Sequence, residues 1–232
     1  MYEQFGLKAP FFEIGPKNYV YGDDVLEMAL VADDISKRYN VDIIFTTPFT
    51  EIRRIAEQTK NLYIIAPHID PIPVGRGLAD ILAEGVKAAG AHGVMLNHAE
   101  KPISYDSIKK CIDRANEVGL GTIVCANTVI ESQAIALLEP NVIVAEPTEL
   151  IGTGQTSDMA YVKTSIEAIK SVNKNIFVLQ GAGISNGNDV YNVIYHGAEA
   201  TGSSSGIMKA KDPFAMIEEM VQAVRKAWDD RT

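Results

Sequence analysis

Short runs of Val, Ile, Leu and Phe recur along the chain, each closed by turn residues. They span 11–15, 41–46, 62–66, 93–97, 122–126, 142–146, 176–180 and 200–203. Most are continuously apolar and do not alternate, the pattern of parallel strands buried on both faces. Between them lie stretches with apolar residues at three-and-four spacing, the period of an amphipathic helix. In 24–39 these are Val25, Met28, Ala29, Ala32 and Ile35; in 105–118 they are Ile108, Ile112 and Ala115. Gly119 stands where a left-handed helix cap belongs. Helices are also predicted over 159–172, 190–196 and 213–228, with Asp212 capping the last and Pro213 in its first turn. A further helix is expected over about 78–89, after a long loop containing Pro71, Pro73, Gly75 and Gly77.

Alternating strands and helices with no linker give either a doubly wound sheet or a closed barrel. The 232 residues divide into eight units of 29, the length of a strand, a helix and two short loops. No GxGxxG follows the first strand. The expectation is therefore one α/β domain over residues 1–232, a (β/α)8 barrel, with its chemistry at the C-terminal ends of the strands.

Composition narrows the function. The chain is 47% hydrophobic and 22% charged, which suits a globular fold. Lys and Arg number 21 against 30 Asp and Glu, a net charge of −9. Such a chain lacks the positive field that nucleic acid requires. The pairs Arg53-Arg54 and Lys109-Lys110 read as solvated helix faces. The two cysteines, Cys111 and Cys125, form no CxxC or metal-ligand spacing; no metal or organic cofactor is implied. No apolar run approaches the ~18 residues of a membrane span, and residues 1–5 do not open a signal peptide. A cytoplasmic location is expected.

The polar residues at strand ends converge on one kind of chemistry. Lys17 follows the first strand, His98 and Glu100 the fourth, and Glu146 ends the sixth. A carboxylate can abstract a carbon-bound proton, a neutral imidazole can polarise the adjacent carbonyl, and a lysine can stabilise the resulting enediolate. A strand-end glutamate interrupting an apolar run needs pairing or function to offset its burial. His98 alone could be merely hydrogen-bonded. His68 reads as a loop or interface residue, and His92 and His196 as residues at helix C-terminal ends. The small-residue loops 152–154, 181–185 and 202–206 can bring backbone amides close to an anion.

The segments 96–101 (LNHAEK), 145–154 (AEPTELIGTG), 181–185 (GAGIS), 209–213 (KAKDP) and 67–71 (PHIDP) resemble triosephosphate isomerase, in particular its short archaeal-type branch. The likeness runs in order along nearly the whole chain. It implies a TIM barrel with Glu146 as base, His98 as electrophile, Lys17 as the cation and Glu100 as a supporting carboxylate. It also implies a lid over 147–154 and phosphate contacts from amides of Gly152, Gly183, Ser204 and Ser205. The substrate would be a small phosphorylated sugar, most simply glyceraldehyde 3-phosphate and dihydroxyacetone phosphate, and the chain a homo-oligomer, dimer or tetramer.

The sequence also departs from that family. Its Asn-x-Lys motif at the first strand reads here as Gly15-Pro16-Lys17, its serine after the histidine is Ala99, and its Glu-Arg pair is Glu100-Lys101. Lysine cannot reproduce the arginine fork. The missing asparagine suggests room for a larger substrate. A tetrose phosphate such as an erythrulose phosphate is thus an alternative, as is a barrel that binds a phosphometabolite without catalysis. Schiff-base chemistry on Lys17 is disfavoured, because its neighbours are polar.

Overall fold

The structure is a computed structural model that describes residues 1–150, 153 and 159–231. Its first unit is β1 (Phe11–Ile14) and α1 (Asp23–Tyr39), followed by β2 (Asp42–Thr46) and α2 (Ile52–Gln58). Next come β3 (Leu62–Ala66), α3 (Ala83–Ala88), β4 (Gly93–Leu96), α4 (Tyr105–Val118) and β5 (Gly121–Ala126). Then follow α5 (Val129–Ala136), β6 (Val142–Ala145), α6 (Met159–Val172), β7 (Phe177–Gln180) and α7 (Gly187–Tyr195). The chain finishes with β8 (Ala200–Ser203), the single turn α8 (Ser205–Met208) and α9 (Pro213–Arg231). All eight strands are parallel, and β1 pairs with both β2 and β8, closing the barrel with Ile14 opposite Phe45 and Ser203.

Closure divides each strand's side chains between two cores. Phe12, Ile14, Ile43 and Phe45 pack outward against the helices, whereas Phe11, Ile44, Ile123, Val142, Val144 and Leu179 fill the interior. The period of two explains why apolar runs do not alternate: both faces are dry. Each such Phe or Ile contributes about 1.5–3 kcal/mol on burial. The N-terminal segment plugs the bottom of the barrel. Phe5 packs edge-on to Tyr63 with ring centroids 5.6 Å apart, and the Asn141 side chain donates to the Tyr2 carbonyl at 2.9 Å. The opposite end, where the strands terminate, is left for chemistry.

Local signals explain most boundaries. Gly119 caps α4 at φ 75°, and the Asp212 carboxylate accepts from the amides of Phe214 and Ala215, as expected. The third helix starts later than expected, at Ala83, because Gly75 and Gly77 take positive φ and hold 71–82 in an open loop. His92 does not end a helix, because α3 stops at Ala88: its Nδ1 accepts from the Ile64 amide at 3.0 Å, just before β4. His196 does cap α7, with Nδ1 2.7 Å from the Asn192 carbonyl. The seventh helix begins at Gly187, ahead of residue 190, because Asn186 caps it through the Asp189 amide.

Two helices, α2 and α5, carry too few periodic positions to stand out from hydrophobicity. A capping signal marks α5 nonetheless: Thr128 precedes Glu131 by three, and its hydroxyl accepts from the Glu131 amide at 3.1 Å. The paired basic residues are spent on the surface, Lys109 on Asp113 and Lys110 on Asp106, contacts that contribute little to stability. Among the described residues no helix is long and apolar enough to cross a membrane.

Candidate active site

Beyond Ile14 the chain turns through Gly15 and Pro16, and Lys17 adopts a left-handed conformation with φ 48°. Only a few per cent of non-glycine residues do so, and such positions need support from their surroundings. Its Nζ donates to Glu100 Oε1, 83 residues on, at 2.8 Å. The lysine side chain is 26% exposed and the glutamate 64%, so the pair adds little stability; its consequence is the placement of one cation at the mouth.

The loop after β4 is built around Asn97, also left-handed at φ 57°. Its Nδ2 donates to the Cys125 carbonyl at 3.0 Å and its Oδ1 accepts from the Ile103 amide at 3.1 Å. That leaves 98–102 as a short span tied at both ends. Within it, His98 Nδ1 accepts from the Glu100 amide at 3.1 Å. A neutral imidazole whose Nδ1 accepts carries its proton on Nε2, the nitrogen left to face a ligand. Burial lowers the His98 pKa, and the Lys17 charge lowers it further against the opposing Glu100. The neutral form is therefore favoured.

Glu146 follows β6, and its backbone amide still bonds to Ala126 at 2.9 Å. Its Oε1 accepts from the Ala182 amide at 3.1 Å, across the gap to the loop after β7. Desolvation raises the Glu146 pKa above its ordinary 4.5, opposed by Lys17 and the Ala182 hydrogen bond. The Lys17 hydrogen bond conversely holds Glu100 below its usual value. The Lys17 charge thus adds to burial in lowering the His98 pKa, opposes burial at Glu146 and pairs with Glu100.

The loops after β7 and β8 pack against each other. Ala182 and Gly183 both take positive φ, 63° and 73°. Ser203 Oγ donates to the Ile184 carbonyl at 2.8 Å, and a Cβ on Gly206 would lie 2.6 Å from Ser203 Oγ. The Ser204 hydroxyl donates to the Gly15 carbonyl, tying β8 to the Lys17 turn. Gly183, Ser204 and Ser205 therefore occupy the same end of the barrel as Lys17, His98, Glu100 and Glu146. Gly152 and Gly154, expected to contact phosphate and to hinge a lid, lie outside the described residues. Among the described residues no cluster of His, Cys, Asp or Glu could hold a metal ion.

Several residues of the site are not singled out by the sequence. Glu131 anchors Asn97 through Nδ2 at 3.2 Å and the Asn127 amide at 2.8 Å, and Asn127 in turn accepts from the Thr148 amide at 2.7 Å. Asn97, Asn127 and Thr148 occupy loops and Glu131 the first turn of α5, places where polar residues are unremarkable, so only their geometry distinguishes them. His68 is buried, with Nε2 3.2 Å from Asp70, and is not part of the mouth cluster. Gly181 leaves room for the base: a Cβ there would lie 3.0 Å from both Cβ and Cδ of Glu146. Gly181→Ala is expected to push that carboxylate aside and lower kcat by about tenfold or more, with an unchanged circular dichroism spectrum. A wild-type kcat would show that the carboxylate tolerates the shift.

The family model described as triosephosphate isomerase matches residues 18–223, so the match starts just after Lys17. The triosephosphate isomerase of Saccharolobus solfataricus is 36% identical over 225 residues, covering 95% of this chain and 99% of that protein. The one from Sulfolobus acidocaldarius is 35% identical, covering 97% and 99%. That of Methanocaldococcus jannaschii is 37% identical over 210 residues, covering 89% and 95%.

Proposed function

The chain belongs to the triosephosphate isomerase family, and on that premise we propose that it interconverts glyceraldehyde 3-phosphate and dihydroxyacetone phosphate through an enediolate. The observation that carries this reading is the meeting of an ionisable carboxylate, a neutral imidazole and a lysine at one barrel mouth. The Glu146 carboxylate removes the proton from the carbon next to the carbonyl. The electron pair of that C–H bond becomes the C=C bond, and the carbonyl oxygen takes the charge. His98 Nε2–H donates to that oxygen, and Lys17 stabilises the negative charge. The hydroxyl proton on the carbon that lost hydrogen passes through the His98 imidazole to the former carbonyl oxygen, the oxygen it leaves becomes the new carbonyl, and Glu146 returns its proton to the neighbouring carbon. A glutamate base paired with a neutral histidine is the established chemistry of this family; the Glu100 amide on His98 Nδ1 supports its use here.

The substrate phosphate would rest on backbone amides of Gly183, Ser204 and Ser205, joined by Gly152 on the lid. This solves the problem set by a net charge of −9. The anion is held by local dipoles and one lysine, with no need for a broad positive field.

Residues 1–232 would act as one domain and as a homo-oligomer. The exposed Val74 and Leu78 on the 71–82 loop, and Ile130 and Leu137 at α5, support association. Two buried free thiols, Cys111 and Cys125, support a reducing, cytoplasmic setting.

The test is a panel of triose and ketotetrose phosphates assayed for interconversion in heavy water. Interconversion of the trioses with solvent deuterium entering the reacting carbon is expected. Binding without exchange would leave a non-catalytic barrel, and a higher kcat/KM on a tetrose phosphate would overturn the triose assignment.

A further inference from the structure

Strand β1 carries a charged residue that neither the sequence pattern nor the chemistry above uses. Glu13 shares the inward face of β1 with Phe11, two residues before it, whereas Phe12 and Ile14 face the helices. Its carboxyl lies within reach of groups on both sides of the mouth: the charges of Lys17, four residues on, and of Glu146, beyond β6, act on it, and its own charge acts on Cys125 of β5. Thr46 Oγ1 of β2 donates to Oε1 at 2.7 Å. Among the described residues Oε2 has no hydrogen-bond partner.

Two glycines make the slot that the carboxyl fills. A Cβ on Gly15 would lie 2.9 Å from Glu13 Oε1, and a Cβ on Gly202 of β8 would lie 2.9 Å from Oε2. Both distances are too short for a real contact. Gly15 is the position at which the family motif places asparagine. The space expected to admit a larger substrate is therefore already occupied, by a side chain two residues earlier.

We propose that Glu13 is a further specificity-determining residue of this site: its carboxyl takes the space of a side chain on Gly15 and offers a hydrogen-bonding group to an oxygen of the sugar phosphate beside Lys17. The proposal rests on the isomerase reading above. Burial, reinforced by the charge on Glu146, pushes Glu13 up to about 7, against the opposing Thr46 hydrogen bond and Lys17. Two carboxyls in one mouth then divide their work: Glu146 ionises as the base, while Glu13 keeps its proton and donates. As pH rises through about 7 the donor is lost, and a second negative charge enters the mouth.

The experiment compares Glu13→Ala, Glu13→Gln, Gly15→Asn and the double variant Glu13→Ala/Gly15→Asn, with thermal melting to establish folding. Glu13→Ala is expected to raise KM for both triose phosphates by about tenfold. Gly15→Asn alone should lose at least as much in kcat/KM, because its side chain meets the carboxyl. The double variant should recover to within about fivefold of wild type. Glu13→Gln keeps a neutral donor at every pH, so the fall in kcat/KM above pH ~7 should flatten. Unchanged KM and pH profile in Glu13→Ala, or a double variant no better than Glu13→Ala, would overturn the proposal. A wild-type chain inactive on both trioses would sink the activity assignment instead. The same ranking, read as calorimetric binding of 2-phosphoglycolate, would then still decide Glu13.

Discussion

Glu146→Gln should lower kcat by about 10²–10⁴-fold while leaving the fold intact. The amide has nearly the volume of the carboxylate, and its oxygen can still accept from Ala182, the bond that is 3.1 Å long in the wild type. What disappears is the ability to take a proton from carbon. Stability should not fall, because burial disfavours the charged carboxylate and the amide removes that penalty. Steady-state kinetics beside a thermal melt separate the two effects. Wild-type turnover in a folded Glu146→Gln protein would remove Glu146 from the role of base.

The same residue sets an expected pH profile. A base acts when deprotonated, so kcat/KM falls as pH drops through its pKa. Desolvation places that pKa above the ordinary 4.5 of a glutamate, so the acid limb should lie above the usual carboxylate range.

Lys17→Met should cost about 10²–10³-fold in kcat/KM, and it should also move that limb. The lysine charge lowers the pKa values of both Glu146 and His98. Without it the base is protonated at higher pH, and the imidazole takes a second proton more readily. Both changes act in the same direction, so the acid limb shifts upward in the variant. Glu100 loses the partner that holds it low and returns toward the ordinary range. A lysine that merely ties two loops together would change the rate without displacing the profile. An unmoved acid limb would therefore restrict Lys17 to positioning.

Much of this site is legible in the chain because polar residues at the ends of buried strands are conspicuous. Glu146 stands directly after an apolar run, and His98 two residues after another, where burial without function carries a penalty. Lys17 is less visible, since a lysine in a turn is ordinary; its meaning comes from Glu100, 83 residues on. Glu13 is a charged residue within an apolar run, the same kind of signal as Glu146. It is nonetheless silent in sequence, because β1 is apolar on both sides and the side it faces is not encoded locally. Gly15 reads as a loss until the neighbouring carboxyl is seen to fill its space.

Eight strand runs, most of the helices between them and the chemical type of three side chains at the strand ends follow from the sequence alone. Strand and helix periods are local properties, and a buried carboxylate or imidazole is costly wherever the strand lies. Which face of each strand turns inward is set in three dimensions, since closure of β1 onto β8 joins segments about 190 residues apart. The tertiary structure also decided the tautomer of His98, through a backbone amide two residues away. The shared control of His98, Glu100 and Glu146 by one lysine belongs to it as well. Electrostatic coupling depends on distance through space, which the order of residues along the chain does not contain.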